Sequence, residues 1–257
     1  MPQLKQITPL AIAFLVTLSG SFQGQAQPVP TVLPNANDPI NPIIFNAPAP
    51  DPPSTGQPGR RSDAGSRGCG EDESSSSSES KPLLALVPVL RTASSTVVFG
   101  KTVAEYPTFW FYVPSRSSST ATFVLQDRDG NPIYQSDVAL PKTAGILSLT
   151  LPATVAPLET GKPYHWFFKL YCRSVSPPDS FVDGWIQRES LTSDLAQQLK
   201  TATLQQRVRL YAANGFWFEA LTTAAQLRRI NSGELAWVEL LKAIGLENVA
   251  AEAIATP

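Results

Sequence analysis

The chain has 257 residues, 42% of them hydrophobic, 16% charged and 9% aromatic, which is enough for one or two domains. Twenty Lys and Arg oppose twenty-one Asp and Glu, a net charge of −1. That balance argues against a nucleic-acid binder, which carries a basic stripe, and against a polybasic membrane-surface protein. One His and two Cys exclude zinc sites of the usual His/Cys type unless carboxylates supply most ligands.

Residues 1–26 read as a secretory signal. Lys5 supplies the positive start, Ile7 to Val16 is largely apolar, and Gly24-Gln25-Ala26 offers small residues at a cleavage site. Gln27 would begin the mature chain. The apolar run is shorter than the roughly 20 residues of a membrane span, although an uncleaved anchor is the alternative. A periplasmic or extracellular location, with no membrane span after cleavage, is therefore expected. In an oxidising compartment Cys69 and Cys172 are expected to form a disulfide, the alternative being two free thiols. The bridge would close a loop of about 100 residues, for which chain entropy gives about 4–5 kcal/mol.

Residues 27–82 hold eleven of the twenty-four prolines and no periodic apolar run. Such a stretch is expected to be a disordered, extended linker. It ends in the acidic, Ser-rich tract Glu71 to Glu79, read as a solvated spacer.

Residues 83–189 are expected to form a β-sandwich. Short runs rich in Val, Ile, Phe, Tyr, Trp and Thr are cut by Pro, Gly and Asp at regular spacing. Strands are predicted near Leu84–Pro88, Val97–Phe99, Thr108–Val113, Ala121–Gln126, Ile133–Val138, Ile146–Leu151, His165–Cys172 and Phe181–Arg188. Asp127 to Pro132 reads as a hairpin turn, not as a Ca²⁺ loop, whose glycine falls two positions later. Leu158-x-x-Gly161-x-x-Tyr164 resembles the tyrosine corner of immunoglobulin-like sandwiches, in which the Tyr hydroxyl bonds back to upstream backbone.

Residues 190–257 are expected to be helical and packed on the sandwich. Leu191, Leu195 and Leu199 mark a first helix. Thr203-x-x-Gln206 is a capping box that opens a second, and Asn214-Gly215 stops it. A third carries Trp217 or Phe218, Leu221, Ala224 and Ala225. Ser232 or Asn231 caps a fourth, which carries Trp237, Leu240, Leu241 and Ile244 and is closed by Gly245. Tyr211-x3-Gly215-x-Trp217-x2-Ala220-Leu221 resembles the middle of a tetratricopeptide repeat, and Trp237-x2-Leu240 falls where a next unit of about 34 residues would open. One and a half repeats do not make a free solenoid, so this hairpin is expected to serve as core more than as a peptide groove.

Three further runs belong with these. They are Arg67-Gly68-Cys69, Val98 to Pro114 and Tyr164 to Cys172. With Gly184 to Arg188, Gly215 to Leu221 and Trp237 to Leu246, they resemble the cyanobacterial family known as domain of unknown function 928. The resemblance implies an exported protein and brings no activity, substrate or catalytic residue. The α+β architecture expected overall is an immunoglobulin-like antiparallel sandwich, a helical layer with a tetratricopeptide-like hairpin, and a disordered N-terminal linker.

No catalytic constellation stands out. His165 is the single histidine, lies opposite to Tyr164 and Trp166 on its strand, and is read as structural. Gly-x-Ser-x-Gly, P-loop and dinucleotide motifs are absent from the sequence. Asp179, Asp183 and Glu189 hold the carboxylates from which a glycosidase-type pair would come; as surface acids they need no such role. No enzyme, cofactor or metal is expected. In Thr108 to Val113, Phe109, Phe111 and Val113 face one way and Trp110 and Tyr112 the other. That fits a strand covered on both faces, or an exposed Trp110–Tyr112 patch with Trp185 as a further platform. The function expected is a non-catalytic interaction or structural protein of the envelope, the alternative being a carbohydrate-binding module. The partner is a protein or a glycan, and not a nucleic acid.

Overall fold

Alternating apolar residues between turn-forming clusters favour half-buried strands. Among the described residues the computed structural model has nine of them, followed by four helices. It describes residues 42–47, 59–63, 81–91, 96–114, 120–171 and 177–255. The signal segment, Cys69, Cys172 and the acidic tract lie outside the described residues.

A small sheet contains β1 (Leu84–Ala85), β4 (Thr108–Val113) and β7 (Gly145–Thr150), with β4 central. A larger sheet contains β2 (Val89–Arg91), β3 (Thr96–Thr102), β5 (Thr120–Gln126), β6 (Pro132–Val138), β8 (Pro163–Tyr171) and β9 (Ser180–Arg188). Its order is β2-β3-β9-β8-β5-β6. All pairs are antiparallel except β3 with β9, which run parallel from Phe99↔Trp185 to Thr102↔Arg188. The antiparallel sandwich expected from the sequence is corrected at that one pair. Neither strand's own pattern encodes which neighbour it will find 86 residues away.

The two sheets share a core. Phe109 and Phe111 of β4 meet Phe123 of β5 and Trp166 and Phe168 of β8. Phe111 and Phe168 stack with centroids 4.3 Å apart. Close approach is built in at Gly184, where a Cβ would lie 2.5 Å from Trp166 Cζ2 and 2.7 Å from Val98 Cγ1.

Helices α1 (Ser193–Thr201), α2 (Leu204–Ala213), α3 (Trp217–Ile230) and α4 (Ala236–Ala243) follow. The capping box forms as expected: Gln206 N–H donates to Thr203 Oγ1, and Thr203 N–H to Gln206 Oε1 at 2.8 Å. Gly215, at φ 78°, turns the chain out of α2. The fourth helix differs from expectation. It begins at Ala236 with no side-chain cap, because Asn231 instead accepts from Gly233 N–H in the preceding turn.

Trp110 and Tyr112 of β4 join Trp217, Leu221, Trp237 and Leu240 in a second core, so the helices cover the outer face of the small sheet. Both edges of that sheet are occupied. Ser62 pairs with Leu84 of β1. At the β7 edge, Ile146 N–H donates to Ala253 and its carbonyl accepts from Ala255 N–H, each at 2.8 Å.

Two pieces of the segment expected to be linker are thus part of the fold. Residues 59–63 bridge the sheets, with Arg60 pairing to Asp183 of β9 and Ser62 to β1. Residues 42–47 dock on the helices.

Candidate functional site

The residues proposed as a ligand platform are interior ones. Trp110, Tyr112 and Trp185 expose 2%, 4% and 3% of their surface. The exposed Trp110–Tyr112 patch is corrected accordingly: alternation sends both rings outward from the small sheet, and the apolar faces of α3 and α4 cover them. Trp110 Nε1 donates to Thr222 Oγ1 at 3.0 Å, and its ring meets Trp237 edge-on at 5.6 Å. Trp185 packs with Leu90, Val97 and Phe99 on the far face of the larger sheet. It stacks on His165 at 4.3 Å and 8°.

His165 is buried and lies 2.8 Å through Nε2 from Asp183 Oδ2. The other oxygen of Asp183 accepts from Arg60 N–H at 3.0 Å. This dyad pins residues 59–63 to β9. Glu189 lies near Lys101 and accepts from Gln187, so it does not pair with Asp183. The turn acid Asp127 is held below the ordinary carboxylate range by Asn131 above all, whose side chain and backbone both donate to it. Among the described residues no three His, Cys, Asp or Glu side chains gather as metal ligands. Tyr164 accepts from Glu159 N–H at 3.0 Å, a bond to backbone five residues upstream.

One acid escapes the sequence reading. Glu219 lies in the first turn of α3, the lone charge in Phe216 to Leu221. Its Oε1 accepts from Thr102 Oγ1 at 2.5 Å, Val103 N–H at 3.1 Å and Ala104 N–H at 3.2 Å. It thereby ties the helical layer to the end of β3. Oε2 is buried with no hydrogen-bond partner. Burial pushes the carboxyl above its ordinary range against the pull of those three donors. A pocket of ≈ 140 Å³ adjoins it, lined also by Tyr106, Thr108, Tyr211 and Thr222. That is small beside the roughly 300–1,000 Å³ of typical ligand sites. The signal in the sequence is a single carboxylate set among aromatics, where its desolvation needs a reason.

A further set of long-range contacts lies on the helices. Residues 42–47, Pro-Ile-Ile-Phe-Asn-Ala, form an extended strap that touches α2, α3 and α4 in turn. Ile43 N–H donates to Glu239 Oε2 of α4 at 3.2 Å, and the Ile43 side chain is buried in the helical core. Phe45 meets Trp217 of α3 edge-on at 4.9 Å. Asn46 donates through its backbone to Ala212 carbonyl at 3.1 Å and through Nδ2 to Ala213 carbonyl at 2.8 Å. Those two carbonyls end α2, where helical acceptors lack internal partners. Ile44, between the two anchors, points to solvent. Ile43 and Phe45, at i and i+2, thus face the helices while Ile44 faces away, the alternation of an extended segment.

The strap is held near balance. Burying Ile43 and part of Phe45 contributes about 3–5 kcal/mol, the aromatic contact about 1 kcal/mol and three hydrogen bonds about 3 kcal/mol. Ordering six residues opposes this by about 6–12 kcal/mol.

A family model described as Domain of Unknown Function (DUF928) matches residues 62–254. The match takes in both sheets and all four helices, and leaves out the strap. No curated protein matches the chain.

Proposed function

The chain belongs to the Domain of Unknown Function (DUF928) family, and within it we propose a non-catalytic interaction protein, exported to the cell envelope, that works by holding extended peptide segments in the groove of α2, α3 and α4. The observation that carries this reading is the strap, an apolar-x-aromatic-Asn segment already seated across all three helices. On this reading the two sheets are an immunoglobulin-like sandwich, with Tyr164 as its tyrosine corner, supported by the Glu159 bond. Helices α2 and α3 are a tetratricopeptide-like hairpin, and the peptide lies where such hairpins present a binding face. A non-catalytic role is supported by His165, which is buried and engaged with Asp183 and Trp185. The signal-like residues 1–26 support export.

The test uses the full chain with Ile43→Asp and Phe45→Asp, which releases the strap and opens the groove. A synthetic peptide spanning residues 38–49 is titrated by calorimetry, with hydrogen exchange followed on α2–α4. The expected result is saturable one-to-one binding tighter than about 1 mM, with protection on those helices. A peptide carrying the same two aspartates should not bind. A variant that keeps its native near-ultraviolet dichroism yet neither binds nor becomes protected overturns the reading.

A further inference from the structure

We propose a second site, independent of the strap groove: the pocket beside Glu219 takes a primary ammonium group on a short alkyl stem, its nitrogen donating to Glu219 Oε2. The pocket lies where the β3–β4 connection meets α2 and α3, and none of the strap's hydrogen-bond or ring partners lines it.

The carboxylate is half satisfied. Oε1 accepts from Thr102, Val103 and Ala104, while Oε2 is buried with no partner. None of the ion pairs among the described residues includes Glu219. A buried, ionised carboxylate is costly unless it is paired and fully hydrogen-bonded. The partner that Oε2 lacks is therefore a donor, and a positively charged one suits it best. The hydroxyls beside it have the same polarity. Thr102 has committed its proton to Glu219 Oε1, and Thr223 donates to the Glu219 carbonyl at 2.7 Å. Thr222 Oγ1 already serves as acceptor for Trp110 Nε1. What remains around the carboxylate is acceptor capacity, which an ammonium matches with donors alone. A ligand offering only acceptors, or an anion, is repelled there.

Size and walls fit the same group. The volume of ≈ 140 Å³ is close to the roughly 150 Å³ of an engineered apolar cavity that takes up benzene, a ligand of about six non-hydrogen atoms. Tyr106, Tyr211 and Phe218 line it, and such rings pack an alkyl stem and attract a cation over their faces. Tyr106, Tyr211 and Thr222 are half-buried, so this rim reaches solvent. Oε2 is covered, so seating the nitrogen moves part of the rim. A free alkylamine and a lysine side chain carry this group on the same stem.

Calorimetry and amide NMR on the full chain at pH 8 and low salt test this. The probes are n-butylammonium, its uncharged isostere 1-butanol, and Nα-acetyl-lysine methylamide. The ammonium should saturate one site with a Kd of about 0.1–10 mM, within reach of a ligand of about five non-hydrogen atoms. It should shift the resonances of Thr102 to Ala104, Tyr211 and Glu219, and bind at least about tenfold tighter than the alcohol. In Glu219→Gln, which keeps an oxygen for the β3 donors, that preference should fall below about threefold. Should this variant lose its fold, the comparison of ammonium with alcohol in the wild-type chain decides. Lysine amide that binds as tightly as n-butylammonium identifies a lysine of a partner chain as the source. Binding of n-butylammonium alone identifies a free alkylamine, and both results support the site. Equal binding of ammonium and alcohol overturns the proposal, as does an undiminished preference in folded Glu219→Gln. So does the absence of any shift at these residues up to about 50 mM, well above the weakest Kd expected.

Discussion

Replacing Glu219 with Ala and with Gln separates its hydrogen bonds from its charge. In Glu219→Ala, Val103 N–H and Thr102 O–H lose their acceptor, whereas Ala104 N–H keeps Thr102 Oγ1 at 3.0 Å. Two buried donors left unpaired cost about 1–3 kcal/mol each. Water entering from the adjoining pocket softens the loss, so a net of about 2–4 kcal/mol is expected. At about 2–4 °C per kcal/mol for a fold of this size, the melting temperature falls by roughly 5–15 °C. Glu219→Gln keeps an oxygen for all three donors and removes the titration.

The pH dependence has a fixed sign. Burial raises the folded carboxyl above the ordinary 4.5. Between that value and the raised one, the native state holds a proton that the unfolded chain has released, so stability falls as pH rises. The contribution of the protonated carboxyl is fully present below the unfolded value and is lost as pH rises through the folded one. Urea unfolding followed by tryptophan fluorescence from pH 4 to pH 9 reads this directly. Wild type should lose stability relative to Glu219→Gln across the window above 4.5, and Gln should be the more stable form at its upper end. Curves that run parallel at every pH would refute the argument that desolvation dominates this site.

Gly184→Ala drives a methyl group to within 2.5 Å of Trp166 and 2.7 Å of Val98 in the shared core; thermal unfolding should show a loss at the upper end of about 1–3 kcal/mol, and an unchanged melting temperature would mean the two sheets yield there. For Cys69 and Cys172, a non-reducing peptide map of the chain produced in an oxidising compartment should join the two, and Cys69→Ser should lose up to about 4–5 kcal/mol. Alkylation of both thiols in that folded, unreduced protein would exclude the bridge.

The strands were legible because alternation and turn residues act locally. Thr108–Val113 forms as predicted to the residue and the other predicted strands shift by a few positions at their ends, while β2 at Val89–Arg91 was not predicted. The capping box at Thr203 was legible for the same reason, since all its atoms lie within four residues. What β4 would face was not decidable, because both of its faces are apolar and only the position of α3 and α4 determines what covers Trp110. The parallel pairing of β3 with β9 is likewise a long-range choice. The strap was hidden by its surroundings. Ile43 and Phe45 are two anchors in a proline-rich stretch, too few to register as periodic, and the hydrogen bonds around them reach partners 166 or more residues away. Glu219 carried a local signal, a carboxylate among aromatics, but nothing in its neighbours says that Thr102 to Ala104 will supply the donors.

The placement of β9 sets an order in time. Residues 59–63 and the β2–β3 hairpin both attach to the rest of the larger sheet through it, and loops that long close slowly. In a chain emerging from its amino end, the outer edge of β3 and the Arg60 segment must therefore wait unpaired until Ser180–Arg188 has arrived. Strand β9 acts as the keystone, and a delay just before it would hold the longest exposed interval of the folding path open to aggregation or to capture by a chaperone.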